Sequence, residues 1–214
     1  MKVILTGATG FAGSEVLREL LADPAVGQVT LLSRRSAGVS HPKVKEPLLD
    51  DFLDYSQVMN DLAADACIWC LGVSQTAVSE EEYIRITCGY TVAAARAMLA
   101  ANPALRFCFL SGRGADQEER SKVLYGRIKG RTEKALSQLT ANAFHFRPAL
   151  IRPSRLGQKR AVIATLFTPL AWIADLFTED FSVDTRTLAR CMIDVAKAGA
   201  NRVVFTNAAI RGYP

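Results

Sequence analysis

Residues 6–13 read TGATGFAG, and they lie between a short apolar run, Lys2–Thr6, and a segment with helically spaced leucines and valine, Phe11–Ala22. A strand, a glycine-rich turn and a helix in this order are typical of a phosphate-binding βα unit. Gly7 permits a tight turn, Gly10 lets backbone approach a pyrophosphate, and Gly13 lets the helix pack closely on the strand. The helix amino terminus adds free N–H groups and positive potential.

The glycine spacing is GxxGxxG, which differs from the GxGxxG of the commonest dinucleotide fingerprint. An ordinary glycine-rich turn is the alternative, and the position of the loop between strand and helix favours dinucleotide binding. We predict that the loop contacts the cofactor through Gly7, Thr9, Gly10, Phe11 and Gly13.

Short apolar runs alternate with helical stretches along the whole chain, which is typical of βα units around a parallel sheet. We predict one α/β domain over residues 1–214, with a doubly wound parallel sheet in a three-layer α/β/α Rossmann fold. Predicted strands lie at residues 2–6, 28–33, 44–49, 66–72, 106–111, 143–147 and 202–206, and predicted helices at 11–22, 55–63, 79–101, 122–139 and 185–198. Residues 152–181 interrupt the alternation and are interpreted as a pocket lid or a subunit interface, the latter implying a homo-oligomer.

Composition narrows the class of protein. Of 214 residues 50% are hydrophobic, the net charge is only +5, and the five cysteines are an odd number placed mostly in apolar segments. These features favour a globular protein of a reducing compartment, which we predict to be the cytoplasm, without a nucleic-acid surface. Residues 161–177 are apolar but interrupted by polar side chains and too short to span a bilayer, so no transmembrane segment is predicted.

The end of the second strand bears on the choice of dinucleotide. NAD sites place an acidic residue there to hold the ribose hydroxyls, whereas this chain has Ser33-Arg34-Arg35. Two guanidinium groups suit the 2′-phosphate of NADP, and Ser33 adds a hydroxyl donor. The alternative is a solvated pair of surface arginines. We predict that NADP(H) is the cofactor.

Tyr125 and Lys129 stand four residues apart in a predicted helix, so their side chains share one face. A tyrosine with an ordinary pKa near ~10 is a poor base at neutral pH, and a nearby ammonium favours its ionised form. Ser111, at the end of the fifth strand and 14 residues before Tyr125, is placed to hydrogen-bond a substrate oxygen that Tyr125 also contacts. The alternative is a surface tyrosine beside a solvated lysine.

Several blocks together resemble the short-chain dehydrogenase/reductase superfamily, and in particular its atypical NAD(P)-binding members related to the Tat-interacting protein. These blocks are residues 6–13, Leu71-Gly72, LSGRGAD at 110–116, YGRIKG at 125–130 and Phe146-Arg147-Pro148. The resemblance implies that Tyr125 exchanges a proton with the substrate oxygen while Lys129 holds the nicotinamide ribose. It also implies cofactor contacts from Leu71, Gly72 and, near the adenine, Asp51.

Two positions depart from the superfamily pattern. Many relatives carry a hydroxyl residue where this chain has Gly112, and Thr87 stands near the place of a helix asparagine. Three functions therefore stay open: an NADP-dependent oxidoreductase acting on a small carbonyl or alcohol, a regulatory or scaffold protein that binds NADPH with little turnover, and a sugar-nucleotide epimerase or dehydratase. No motif names the substrate.

Two further features are interpreted as structural. Cys67 and Cys70 lie three apart in a predicted strand, so they point to opposite faces and suit core packing better than a metal site. His145 alternates with two phenylalanines on another strand and is more typical of a packed histidine than of a ligand.

Overall fold

Parallel strands form the centre of the molecule. The computed structural model describes residues 1–155 and 182–213. The strands of its central sheet are Lys2–Thr6 (β1), Gln28–Leu32 (β2), Val44–Lys45 (β3), Ala66–Trp69 (β4), Arg106–Leu110 (β5), Ala143–Arg147 (β6) and Val204–Thr206 (β9), while Leu150–Arg152 (β7) and Ser182–Asp184 (β8) pair separately. The seven strands lie in the order β3-β2-β1-β4-β5-β6-β9, each pair parallel. The strand order reverses between β1 and β4, which is where such sheets bind ligands.

Helices connect the strands across both faces of the sheet. They are Phe11–Ala22 (α1), Glu80–Ile84 (α2), Tyr90–Ala101 (α3), Leu124–Leu139 (α4), Thr185–Ala198 (α5) and Asn207–Arg211 (α6), with a 3-10 turn at Ser56–Asp61 and a π-helical turn at Arg85–Gly89. None of these helices is long and apolar enough to cross a membrane.

Alternating side chains of each strand feed two separate cores. On β1, Val3 and Leu5 pack into the core that α1 and α5 cover, whereas Ile4 packs into the core that α3 and α4 cover. Successive strand residues point to opposite faces, so strands buried on both sides must be apolar throughout. The predicted three-layer, doubly wound Rossmann fold is confirmed.

Most predicted elements coincide with observed ones, and the departures are local. Predicted helix 55–63 is a 3-10 turn with a kink at Val58, and predicted helix 79–101 contains the π-helical turn. The sequence did not indicate the parallel pair of Leu150–Arg152 (β7) and Ser182–Asp184 (β8). Of the predicted lid, residues 152–155 are described and begin at the end of β7. Residues 156–181, which include the apolar stretch 161–177, lie outside the described residues.

Candidate active site

The loop after β1 forms a cradle in which two positions, Gly7 and Gly13, have no room for a side chain. Gly7 has φ +68°, and a Cβ there would lie 2.6 Å from the carbonyl oxygen of Cys70. A Cβ on Gly13 would lie 2.1 Å from the carbonyl oxygen of Gly7. The loop is therefore clamped between the end of β4 and the first turn of α1, as predicted for Gly7 and Gly13.

The amino terminus of α1 is open toward this cradle. Its N-cap is Gly10, which has no side chain to cap the helix, and the first turn carries no acidic residue. Thr9 and Gly10 are exposed, and Phe11 is half-buried. Because the first N–H groups of a helix have no intrahelical acceptors, this end suits a phosphate group. The cradle and the uncapped helix thus fit the pyrophosphate of a dinucleotide.

The end of β2 carries the two predicted phosphate-binding arginines. Arg34 and Arg35 are both exposed, and within the described residues neither guanidinium pairs with a carboxylate. The Ser33 hydroxyl donates a 2.7 Å hydrogen bond to the carbonyl oxygen of Arg35, so it shapes the loop as it stands.

The remaining predicted cofactor contacts lie around the ends of β1 and β4. The Leu71 N–H donates to the Thr6 hydroxyl at 3.2 Å, which joins those two strand ends, and Gly72 beyond it is exposed. The Asp51 carboxylate accepts the Leu53 N–H at 3.0 Å and lies 3.7 Å from Arg85. Asp51 is thus engaged in a local turn and in an exposed ion pair.

Tyr125 stands in the first turn of α4. Its backbone N–H donates to the Gln75 side chain at 2.8 Å, which ties α4 to the loop after β4. The half-buried ring points its hydroxyl at Gly112, where a Cβ would lie only 1.6 Å from that oxygen. Within the described residues no hydrogen bond reaches this hydroxyl, so none of them competes with a ligand for it.

Lys129 follows one turn later and is buried. Its ammonium donates to the Leu110 carbonyl at 2.8 Å and lies 4.6 Å from the centre of the Phe109 ring. Burial lowers the pKa of Lys129 to about 8, against the opposing effects of Glu133 and Cys70. Lys129 therefore loses its proton more readily than a solvated surface lysine does.

The expected lowering of the tyrosine pKa is not found. Burial raises the pKa of Tyr125, and the neighbouring Tyr83 and Glu133 raise it further. The Lys129 ammonium is directed to the Leu110 carbonyl, so it does not offset these effects. In this arrangement Tyr125 is a neutral phenol at physiological pH and therefore a proton donor.

Ser111 is engaged in a polar network that sequence reasoning missed. Its hydroxyl donates to the fully buried Glu133 carboxylate at 2.6 Å, and Gln117 donates to the same carboxylate at 3.0 Å. Arg147 forms a bidentate ion pair with Glu133. Burial by itself would raise the pKa of the Glu133 carboxyl, and the hydrogen bonds from Arg147, Gln117 and Ser111 lower it below its ordinary value. The spacing of Glu133, four residues after Lys129 on α4, was the one sequence signal for it.

The other conspicuous residues pack in or against the two cores. Cys67 lies in the core beneath α3 and Cys70 packs against the opposite core, as the strand spacing predicts. His145 is buried on β6 with its Nε2 2.8 Å from the Ser137 hydroxyl. Within residues 1–155 and 182–213 no three histidine, cysteine or acidic side chains cluster as metal ligands do.

The glycine cradle, the open helix terminus and the parallel sheet define a Rossmann-type nucleotide-binding protein. The chain belongs to the NAD dependent epimerase/dehydratase family, whose model matches residues 3–156.

Individual relatives agree with this assignment. Protein HTATIP2 of Rattus norvegicus is 25% identical over 209 residues, which cover 90% of this chain and 79% of the relative. Protein fmp52, mitochondrial, of Aspergillus fumigatus is 30% identical over 174 residues, which cover 77% of this chain and 73% of the relative.

A solved structure of the same fold is Gre2 in complex with NADPH from Candida albicans. It superposes with a TM-score of 0.70 at 17% identity, covering 96% of this chain and 78% of Gre2. The predicted membership of an NAD(P)-binding, short-chain dehydrogenase/reductase-like family is confirmed.

Proposed function

We propose that this protein is an NADPH-dependent oxidoreductase that reduces a small carbonyl compound, with Tyr125 as the proton donor. The free hydroxyl of Tyr125 carries the proposal, because it lies on the same helix face as a buried lysine and has no protein partner within the described chain. A bound nicotinamide dinucleotide supplies the hydride.

The raised pKa of Tyr125 favours the reductive direction. A neutral phenol can hydrogen-bond a carbonyl oxygen and give it a proton as negative charge develops there. The reverse reaction needs the phenolate, which the burial of Tyr125 and the charge of Glu133 disfavour. The site is therefore better suited to reduce a carbonyl than to oxidise an alcohol.

Lys129 would hold the nicotinamide ribose. With a pKa of about 8 it is mostly charged at neutral pH, which suits donation to a ribose hydroxyl. Ser111 has an indirect part in the proposal, because its hydroxyl can donate to a substrate only if it releases Glu133.

The preference for NADPH over NADH rests on Arg34 and Arg35. Both are exposed, and no acidic side chain in the described residues neutralises them. A 2′-phosphate would provide the missing negative charge through short, charge-assisted hydrogen bonds. Leu71, Gly72 and Asp51 are proposed to line the rest of the dinucleotide groove.

The experiment compares two tyrosines. Tyr125→Phe should retain NADPH affinity and lose most turnover, about 100-fold or more, in NADPH oxidation with a panel of carbonyl compounds. Tyr55→Phe is the matched control, since it removes a buried and equally unpartnered hydroxyl from the core that α3 and α4 cover. Lys129→Ala should reduce both binding and turnover. Full activity in Tyr125→Phe would refute the assignment.

A second function, NADPH binding with little turnover, is favoured by one observation. Gly112 offers no hydroxyl, and the Ser111 hydroxyl is bound to Glu133, so Tyr125 would act without a serine. Tight NADPH binding with no turnover across the panel would favour this regulatory or scaffold role. An epimerase or dehydratase, as in the family description, is the third alternative and would retain tightly bound cofactor.

The domain organisation and the cellular location of the protein are also part of the proposal. We propose that residues 1–214 fold as one domain in which 152–181 cover the substrate or join a second subunit. The five cysteines, none of them paired, suit the reducing cytoplasm. The Aspergillus relative is named as mitochondrial, so fractionation of tagged protein is the direct test of location.

A further inference from the structure

The loop that carries Arg34 and Arg35 is held by one acidic side chain beyond β3. Glu46 accepts the Ser36 hydroxyl at 2.6 Å through one carboxylate oxygen and the Ala37 N–H at 2.5 Å through the other. The Ser36 hydroxyl in turn accepts the Gly38 N–H at 3.1 Å. The two arginines are thus followed directly by a pinned turn.

The same segment also holds the start of this loop. The Leu49 N–H donates to the Ser33 carbonyl at 3.0 Å, and Ser33 and Leu48 form a parallel bridge. Residues 46–49 therefore fix the loop on both sides of Arg34 and Arg35. The backbone is held while both guanidinium groups remain exposed.

The electrostatics of this arrangement are unexpected. Glu46 is the acidic residue that reaches the loop, yet it binds a hydroxyl and a backbone N–H and forms no ion pair with either arginine. Its carboxylate places a negative charge near a site that should attract phosphate, which by itself opposes binding. A role in shaping the loop accounts for an acid at this position.

We propose that Glu46 is a positioning residue for NADPH selectivity, holding the Ser33–Gly38 turn so that Arg34 and Arg35 meet the 2′-phosphate from a backbone that is already ordered. The inference rests on the proposed NADPH preference. Two arginines on a mobile loop would lose part of their contact energy to ordering, and a pinned loop avoids that loss.

Calorimetric titration with NADPH and with NADH tests this in wild type, Glu46→Ala, Glu46→Gln and Asp50→Ala. Loop positioning predicts that Glu46→Ala weakens NADPH about fivefold or more and leaves NADH nearly unchanged. A pure charge effect predicts the opposite sign, since removing a carboxylate would tighten NADPH. Glu46→Gln, which keeps an acceptor oxygen, should recover much of the selectivity. Asp50→Ala removes the same charge four residues on, where the carboxylate holds no loop backbone, and should not weaken NADPH.

The outcomes separate the two levels of the proposal. If wild type prefers NADPH and Glu46→Ala binds it equally well or more tightly, the positioning role is overturned while the cofactor assignment stands. An equal loss for both dinucleotides, with a lowered melting temperature, would also overturn it in favour of general destabilisation. If wild type binds both equally, the NADPH assignment fails, and this inference fails with it.

Discussion

The Ser111 hydroxyl donates a 2.6 Å hydrogen bond to the fully buried carboxylate of Glu133. Through Glu133 it is linked to Arg147 at the end of β6, so Arg147 balances the charge of Glu133 on α4 while Ser111 hydrogen-bonds it. A buried carboxylate is tolerated only when it is paired and hydrogen-bonded. Ser111 therefore stabilises the helix that carries Tyr125 and Lys129.

Ser111→Ala should reduce the free energy of unfolding while changing turnover little. The carboxylate keeps its Arg147 and Gln117 donors, so the expected loss of unfolding free energy is about 1–2 kcal/mol. Urea denaturation measures it, with exposed Ser40→Ala as the control. If stability is unchanged and turnover drops about 100-fold, Ser111 contacts the substrate as the sequence first indicated.

Gly112→Ala should displace the tyrosine without unfolding the chain. The new Cβ would lie 1.6 Å from the Tyr125 hydroxyl oxygen, and the far end of that side chain can move more readily than backbone. We expect retained NADPH binding and a turnover loss of about tenfold or more, because proton transfer depends on placement within about 1 Å. In Gly27→Ala, where the nearest atom to a Cβ is 3.9 Å away, activity should be normal. Normal turnover in Gly112→Ala would mean that Tyr125 works from another position.

Gly10→Val should separate cofactor binding from folding. A Cβ at Gly10 would lie 3.1 Å from the Gly7 carbonyl oxygen, a close contact that a small shift of this exposed loop can relieve, so the chain should fold. The branched side chain would cover the open N–H groups of α1 and abolish dinucleotide binding. Calorimetry and thermal melting check the two expectations. Gly13→Val is the contrast, since its Cβ would lie 2.1 Å from backbone and should unfold the protein. Retained NADPH binding in Gly10→Val would refute the loop assignment.

Sequence periodicity predicted the sheet well because each strand is an apolar run with glycine or polar residues after it. It predicted Phe11–Ala22, Ala143–Arg147 and Thr185–Ala198 at their observed bounds. It failed where tertiary contacts decide the backbone. The π-helical turn is one such place, because the Thr87 carbonyl there accepts the side chains of Thr91 and Thr132 from two helices.

The candidate site divides in the same way. Local pattern was enough to predict the tight turn at Gly7 and the close packing at Gly13, whereas the cofactor contacts and the Tyr125–Lys129 site stay predictions. The hydrogen-bond partners of Lys129 and of Ser111 lie 19 and 22 residues away in sequence, and only the tertiary fold brings each pair together. The pKa of Tyr125 depends on burial and on Tyr83 and Glu133, so its direction could not be anticipated from the helix alone.

Acid should destabilise the protein through His145 before it protonates the paired carboxylates. Burial lowers the pKa of His145 from 6.5 to about 4, with Arg147 adding to this and Glu133 opposing it. Because the unfolded chain takes up this proton first, stability is fully present above pH 6.5 and is lost as the pH falls toward 4. The loss is on the order of 3 kcal/mol for a shift of this size.

Urea denaturation of wild type and His145→Gln between pH 7.5 and pH 4 measures the effect, and the difference between the two curves isolates the histidine. The variant is less stable at neutral pH because it alters a packed position beside Ser137. Its stability should nevertheless fall less steeply with acid, so the gap between the proteins narrows as the pH decreases. Curves that stay parallel over this range would show that His145 takes up its proton as readily in the folded protein as in the unfolded chain.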